Sequence, residues 1–343
     1  MSGIQTINRQ ALLQARRALL TRIYAPALKL EKTSPEYRAL GQSGKVWEDW
    51  FQPSSSSLMG YVGLQRYNRE LLAKIDEVRA KIPPQVTTSN PVAEFAQQSV
   101  MIENNPLKLH DAVRIHDAFK KEHLAEQHPT LTSEVVHELQ FPDIEGEETW
   151  ATAELRNAIF ASQWIAQIAA TKPGTAGISE TETQALAALT VKGTSPPVNT
   201  SLVKFSNSSP RGGYRRWPVQ VRSDHLVVFP YPVEVPACVE RFFQWRNAQH
   251  AAKELHPLLL ACQMTAYFVH IHPFYDGNGR VSRMLGQDYL ARQGYFPPVL
   301  GGNLERMDYI RMISAAHKGR PKELVEAVLE AQLRACERFA EEA

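Results

Sequence analysis

Apolar residues at Leu12, Leu13, Leu19, Leu20 and Ile23 recur at helical spacing and predict an amphipathic helix near the start of the chain. Helical patches continue to about residue 79, interrupted by a polar stretch at 52–58 that holds four consecutive serines. Pro83-Pro84 and Thr87-Thr88-Ser89-Asn90 read as a linker. A helix is predicted to begin at Pro91, with Asn90 as its cap and Val92, Phe95, Ala96 and Val100 as its apolar stripe, and to stop at Asn104-Asn105-Pro106. Further helices are predicted over 109–126, over the strongly apolar 151–170, and over 179–190, where Ser179 and Glu182 have capping-box spacing. Residues 142–148 form an acidic loop and 193–213 a loop rich in Ser, Pro and Gly. Val219-Gln220-Val221 and Leu226-Val227-Val228-Phe229 flank a polar turn and predict a short β-hairpin over 219–229. Helices over 239–249, 253–270, 278–293, 307–316 and 322–341 complete a mostly α reading.

Composition narrows the class without naming a function. The 343 residues include 38 Lys+Arg and 36 Asp+Glu, a net charge of +2, with 43% apolar and 22% charged residues. These are values for a soluble globular protein with a core of its own, and they give no electrostatic reason to expect nucleic acid as partner. Cys238, Cys262 and Cys336 are widely spaced and odd in number, which fits a reducing, cytoplasmic compartment. The longest charge-free stretch, between Glu254 and Asp276, carries two prolines and three histidines and predicts a buried helix rather than a membrane span. No acid precedes Glu31 while Arg9, Arg16, Arg17, Arg22 and Lys29 are basic. That start is similar to a mitochondrial transit peptide, and an ordinary surface helix is the reading preferred.

Chemistry concentrates where the charge-free helix ends: His272-Pro273-Phe274-Tyr275-Asp276-Gly277-Asn278-Gly279-Arg280, with Arg283 three residues on. Gly277 and Gly279 let backbone approach a ligand closely, and the N–H groups opening the next helix make an anion site. Arg280 and Arg283 fall on one helix face, each able to grip phosphate oxygens bidentately. Asp276 offers a hard oxygen for Mg²⁺, and His272 is the side chain suited to general-base work at neutral pH. Together they specify transfer chemistry on a nucleoside triphosphate with a hydroxyl as acceptor.

The stretch resembles the signature of the Fic (Fic/Doc) family, H-P-F-x-[D/N]-G-N-G-R-x-x-R, at every fixed position. Gly294-Tyr295-Phe296-Pro297-Pro298-Val299 and Gly213-Tyr214-Arg215 extend the likeness, which spans about residues 91–335. The resemblance implies a helical core with a small hairpin flap and the transfer of AMP from ATP to a Ser, Thr or Tyr hydroxyl of a target protein. His272 would then be the base and Asp276 the Mg²⁺ ligand. Phe274, Gly277, Asn278, Gly279, Arg280 and Arg283 would bind the nucleotide, joined by Tyr309 on a later helix. Val219, Val221, Leu226 and Val228 would clamp the target by strand addition. Ser99-Val100-Met101-Ile102-Glu103-Asn104 fits the family's inhibitory pattern [S/T]-x-x-x-E-[G/N], with Glu103 pairing to Arg283 as a brake and Ser99 and Asn104 as its fixed neighbours.

The expected organisation is an N-terminal helical extension over 1–85, of unassigned role, and a Fic domain over 86–340 that includes the inhibitory helix 91–104. Rival readings are removal of AMP with Glu103 positioning the water, a nucleotide-responsive binding module with little turnover, and transfer of a phosphate or another nucleotide. The partner expected is a protein with a hydroxyl side chain, not nucleic acid or membrane, and a homodimer is left open. His250, His256, His270 and His272 with Cys262 have no zinc spacing of value, and Arg211, Arg215 and Arg216 read as a solvated approach to the flap.

Overall fold

The computed structural model describes residues 9–53, 58–83, 86–87, 91–142, 149–194, 212–220, 226–301 and 304–341. The first helices are α1 (Arg9–Ile23), α2 (Ala25–Leu28), α3 (Pro35–Ser43), α4 (Lys45–Phe51), α5 (Leu58–Tyr67) and α6 (Arg69–Arg79). They join the same apolar core as the rest of the chain through Ile23, Trp47, Tyr61, Leu72 and Ile75. Cys238, Cys262 and Cys336 are free and buried, and burial pushes their thiols up to about 12, 12 and 11.

The Pro91 stripe becomes α7 (Val92–Met101), which buries Val92, Phe95, Ala96 and Val100 as its spacing predicts. Pro91 stands one position before the helix, and Asn90 lies outside the described residues. Next come α8 (Leu109–Lys121), α9 (Ser133–Glu138) and α10 (Trp150–Thr171). Thr149 caps α10 by accepting from the N–H of Thr152 at 3.2 Å. The predicted capping box opens α11 (Glu180–Thr190): Ser179 Oγ accepts from the Glu182 N–H, and the Glu182 carboxylate accepts from the Ser179 N–H at 2.7 Å.

The chain then forms α12 (Val235–Ala252), α13 (Pro257–Ile271), α14 (Asn278–Arg292), α15 (Arg306–His317) and α16 (Lys322–Glu341). The charge-free run is α13, buried on nearly every side, and it packs along α14, which in turn rests on α10 and α11. No helix among the described residues is long and apolar enough to cross a membrane.

The hairpin expected over 219–229 is the element that differs. Val219, Gln220 and residues 226–229 form no strand, and Val221 with the turn to residue 225 lies outside the described residues. The second limb bonds to the N-terminal helices: Trp47 Nε1 donates to the Val228 carbonyl at 2.9 Å, and Arg16 Nη1 to the Val227 carbonyl at 3.1 Å. A limb whose carbonyls are already met in this way gains less from pairing as a strand.

Candidate active site

The turn from α13 to α14 is held by its own polar groups. The Asn278 side chain closes it, accepting from the Phe274 N–H at 2.9 Å and donating to the Phe274 carbonyl at 2.8 Å. Phe274 is buried against Tyr214 and Phe268, so it anchors the turn from the core side and does not face the cleft. Asp276 accepts from the Gly277 N–H at 2.7 Å while its side chain stays largely exposed. Gly277 has φ +79°, and a Cβ there would collide with Thr190 at the end of α11. The start of α14 has no side-chain cap from its N-cap residue and no acid in its first turn, so the charges at its positive end come from outside the helix, Asp276 before it and Glu103 from another segment.

His272 ends α13 in the left-handed region, φ +50°. Its Nδ1 bonds the Val269 carbonyl at 3.0 Å, which sets the tautomer and leaves Nε2 as the basic nitrogen. The ring stacks on Phe229 with centroids 4.3 Å apart. Burial, then the nearby Arg215 cation, pushes the imidazole down to about 4, against the Val269 bond and the carboxylates of Asp276 and Glu103. The ring is therefore neutral at physiological pH.

A carboxylate from α7's terminal turn reaches the same place. Glu103 Oε1 accepts from Arg283 Nη2 at 2.8 Å, and Oε2 accepts from Arg306 Nη1 at 2.9 Å. A Cβ on Gly279 would lie 2.6 Å from Glu103 Oε1, so the carboxylate rests on the opening of α14 and depends on that glycine. Burial would raise this carboxyl, but Arg283, Arg280 and Arg306 outweigh it and hold it at about 2. Ser99 completes the grip on Arg283, its Oγ accepting from Nε at 2.9 Å and its carbonyl from Nη2 at 2.8 Å. Asn104 takes φ +69°, a conformation that favours Gly or Asn, and it turns the chain out of the helix immediately after the glutamate.

Two further residues of the nucleotide set sit differently from what their positions alone suggest. Arg280 is buried and bonds Glu154 Oε1 at 2.7 Å and the Thr190 carbonyl at 2.8 Å, leaving its Nε without a protein partner. Tyr309 is buried beneath Arg283, whose guanidinium lies 5.2 Å from the ring centroid. From α15 it is Arg306, Met307 and Ile310 that line the cleft. Trp217, Pro218, Val219 and Gln220 line its other side, facing His272 and Asp276. Leu226 is exposed at the far limb and Val228 is buried in the core.

Arg306, Glu154 and Arg215 are the residues that sequence reasoning missed or misread. Arg306 opens α15 between two acids, Glu305 and Asp308, so its local sequence carries no signal that it reaches Glu103. Glu154 is an acid inside a strongly apolar run; Asn105 Nδ2 donates to its Oε2 at 2.9 Å. Arg215 is fully buried, not solvated.

Residues 178–290 match the model of the Fic/DOC family. The protein adenylyltransferase Fic of Drosophila persimilis is 39% identical over 108 residues, covering 32% of this chain and 20% of that protein. The protein of the same name from Drosophila melanogaster is 39% identical over 108 residues, covering 32% and 21%. The matched stretch thus spans about a fifth of these curated relatives. Fic-1 from C. elegans superposes with a TM-score of 0.57 at 17% identity, covering 96% of this chain and 98% of that one, a likeness of fold. The domain formed by residues 178–290 belongs to the Fic/DOC family.

Proposed function

We propose that this chain is a protein adenylyltransferase that moves AMP from ATP to a hydroxyl side chain of a target protein and is restrained by Glu103. The observation that carries this reading is the pairing of a neutral His272, with Nε2 as its basic nitrogen, and an uncapped α14 N-terminus on one cleft wall. The first is a base and the second an anion seat. The acceptor hydroxyl gives its proton to His272 Nε2 as its oxygen bonds the α-phosphorus, and the bond to the bridging oxygen breaks to release pyrophosphate.

The site fits a triphosphate, because Arg280 Nε is an unmet buried donor and the ground over Gly279 already takes a carboxylate. Among the described residues no three His, Cys, Asp or Glu gather as a metal cluster. A Mg²⁺ ion would therefore rest on Asp276 and phosphate oxygens, and when bound it would neutralise charge on the leaving group. The acceptor segment would enter past Trp217 and Val219. Glu103 restrains the reaction by occupying Arg283, the cation that a γ-phosphate would need.

The test is incubation with ATP labelled on the α-phosphate. Glu103→Gly is expected to incorporate at least about tenfold more label than wild type, and His272→Ala in that background to lose it. Equal labelling by wild type and Glu103→Gly would remove the brake from the account, and full labelling by the His272→Ala form would remove the base.

A second reading is favoured by the ionised state of Glu103 beside the anion seat, where a carboxylate can orient water. In that case the chain removes AMP from a modified target. Release of AMP from pre-modified protein, lost on Glu103→Gly, is its signature.

A further inference from the structure

The 212–220 segment, the motif turn and the 226–234 segment are separate in sequence, yet one side chain bonds all three. Arg215 Nε donates to the His272 carbonyl at 2.7 Å, Nη1 to the Trp217 carbonyl at 3.3 Å, and Nη2 to the Pro230 carbonyl at 2.6 Å. Its own backbone N–H donates to the Pro273 carbonyl at 2.9 Å. We propose that Arg215 is the positioning residue of this site, fixing the backbone of His272 and both ends of the 217–230 segment with one guanidinium. The inference rests on the adenylyl-transfer reading above and names the side chain that aligns its base with its acceptor wall.

The chemistry of the side chain fits this task. A guanidinium is planar and presents its donors in fixed directions, so three carbonyls bonded to it are held in one mutual geometry. An ammonium can make as many bonds but imposes no such plane. Among the described residues no carboxylate lies within ion-pair distance of Arg215. A buried cation whose Nε, Nη1 and Nη2 bonds all go to carbonyls is costly, and burial holds it down to about 10 against the attraction of nearby groups that include the Glu234 carboxylate. Bolting loops together does not by itself require a charge.

Two features at His272 make use of this arrangement. The residue is held at φ +50°, and the bonds to its own carbonyl and the next one fix that conformation. The ring stacks on Phe229, which directly precedes Pro230. The guanidinium thus sets the imidazole from its backbone and from the face that packs on it. The charged and titratable groups around the ring are Arg215, Asp276 and Glu103, with His270 on its own helix.

The experiment uses the full chain carrying Glu103→Gly as parent, with Arg215→Lys and Arg215→Gln added singly. Folding is checked by melting. In the lysine variant kcat is expected to fall by about 10²-fold while KM for ATP stays within about twofold, since the nucleotide seat is left intact. Amide hydrogen exchange without nucleotide is expected to rise at 217–220 and 227–230 and to stay unchanged in α14. The glutamine variant, which keeps the bonds to at most two carbonyls, behaves alike and serves if the lysine variant does not fold. A folded lysine variant that transfers at the parental rate overturns the proposal, as does a loss carried equally by KM. An inactive parent would overturn the functional reading instead, and the exchange measurement would still decide whether Arg215 holds the two segments.

Discussion

His272 is held neutral and Glu103 ionised by their surroundings, and both states follow from what touches them. The imidazole, pushed down to about 4, takes up its proton only well below neutrality, whereas an unfolded histidine does so near 6.5. The acid limb of kcat/KM in the Glu103→Gly form is therefore expected near pH 4, and a midpoint near 6.5 would show the ring solvated. Glu103, held at about 2 against an ordinary value of 4.5, keeps its pairing with Arg283 down to pH values below that ordinary range. Wild type is thus expected to stay restrained at pH 5.5. A rise in wild-type labelling between pH 7.5 and 5.5, measured relative to Glu103→Gly, would contradict the pairing. The motif residues were legible because their types are few and their spacing is fixed. Arg215 was not, because Gly, Pro and a second arginine beside it look solvated, and burial is decided by carbonyls that come from distant segments.

At the level of elements, the helix pattern carried most of the fold. The last predicted helix, 322–341, coincides with α16, and the capping box opens α11 where its residues predict, because these boundaries depend on local side chains. Among the described residues no strand follows from the alternating valines, since Val228 is claimed by Trp47 and by the core. Trp47→Phe tests that claim. The ring can still stack on Phe51, at 5.1 Å, but the Val228 carbonyl loses its donor. A loss of about 1–3 kcal/mol in unfolding free energy and faster exchange near residue 228 are expected. Unchanged stability would show that water replaces the indole.

Across the whole molecule, the proposed function links nucleotide binding to fold stability through Arg283. ATP at about 100 times its Kd should stabilise the folded protein by about 2.7 kcal/mol. The rise in melting temperature at a given ATP concentration should be larger for Glu103→Gly than for wild type, because the carboxylate competes for the same guanidinium. Equal shifts measured by calorimetry would mean that nucleotide does not need Arg283.

The helix that delivers Glu103 is itself a structural member, with Val92, Phe95, Ala96 and Val100 sealed into the interior. Prising it away would expose three large apolar side chains at about 1.5–3 kcal/mol each, whereas swinging one glutamate about its own bonds exposes none of them. If Glu103 is the brake proposed above, turning that single rotamer is enough to free Arg283, and the resting and working forms should share one backbone trace.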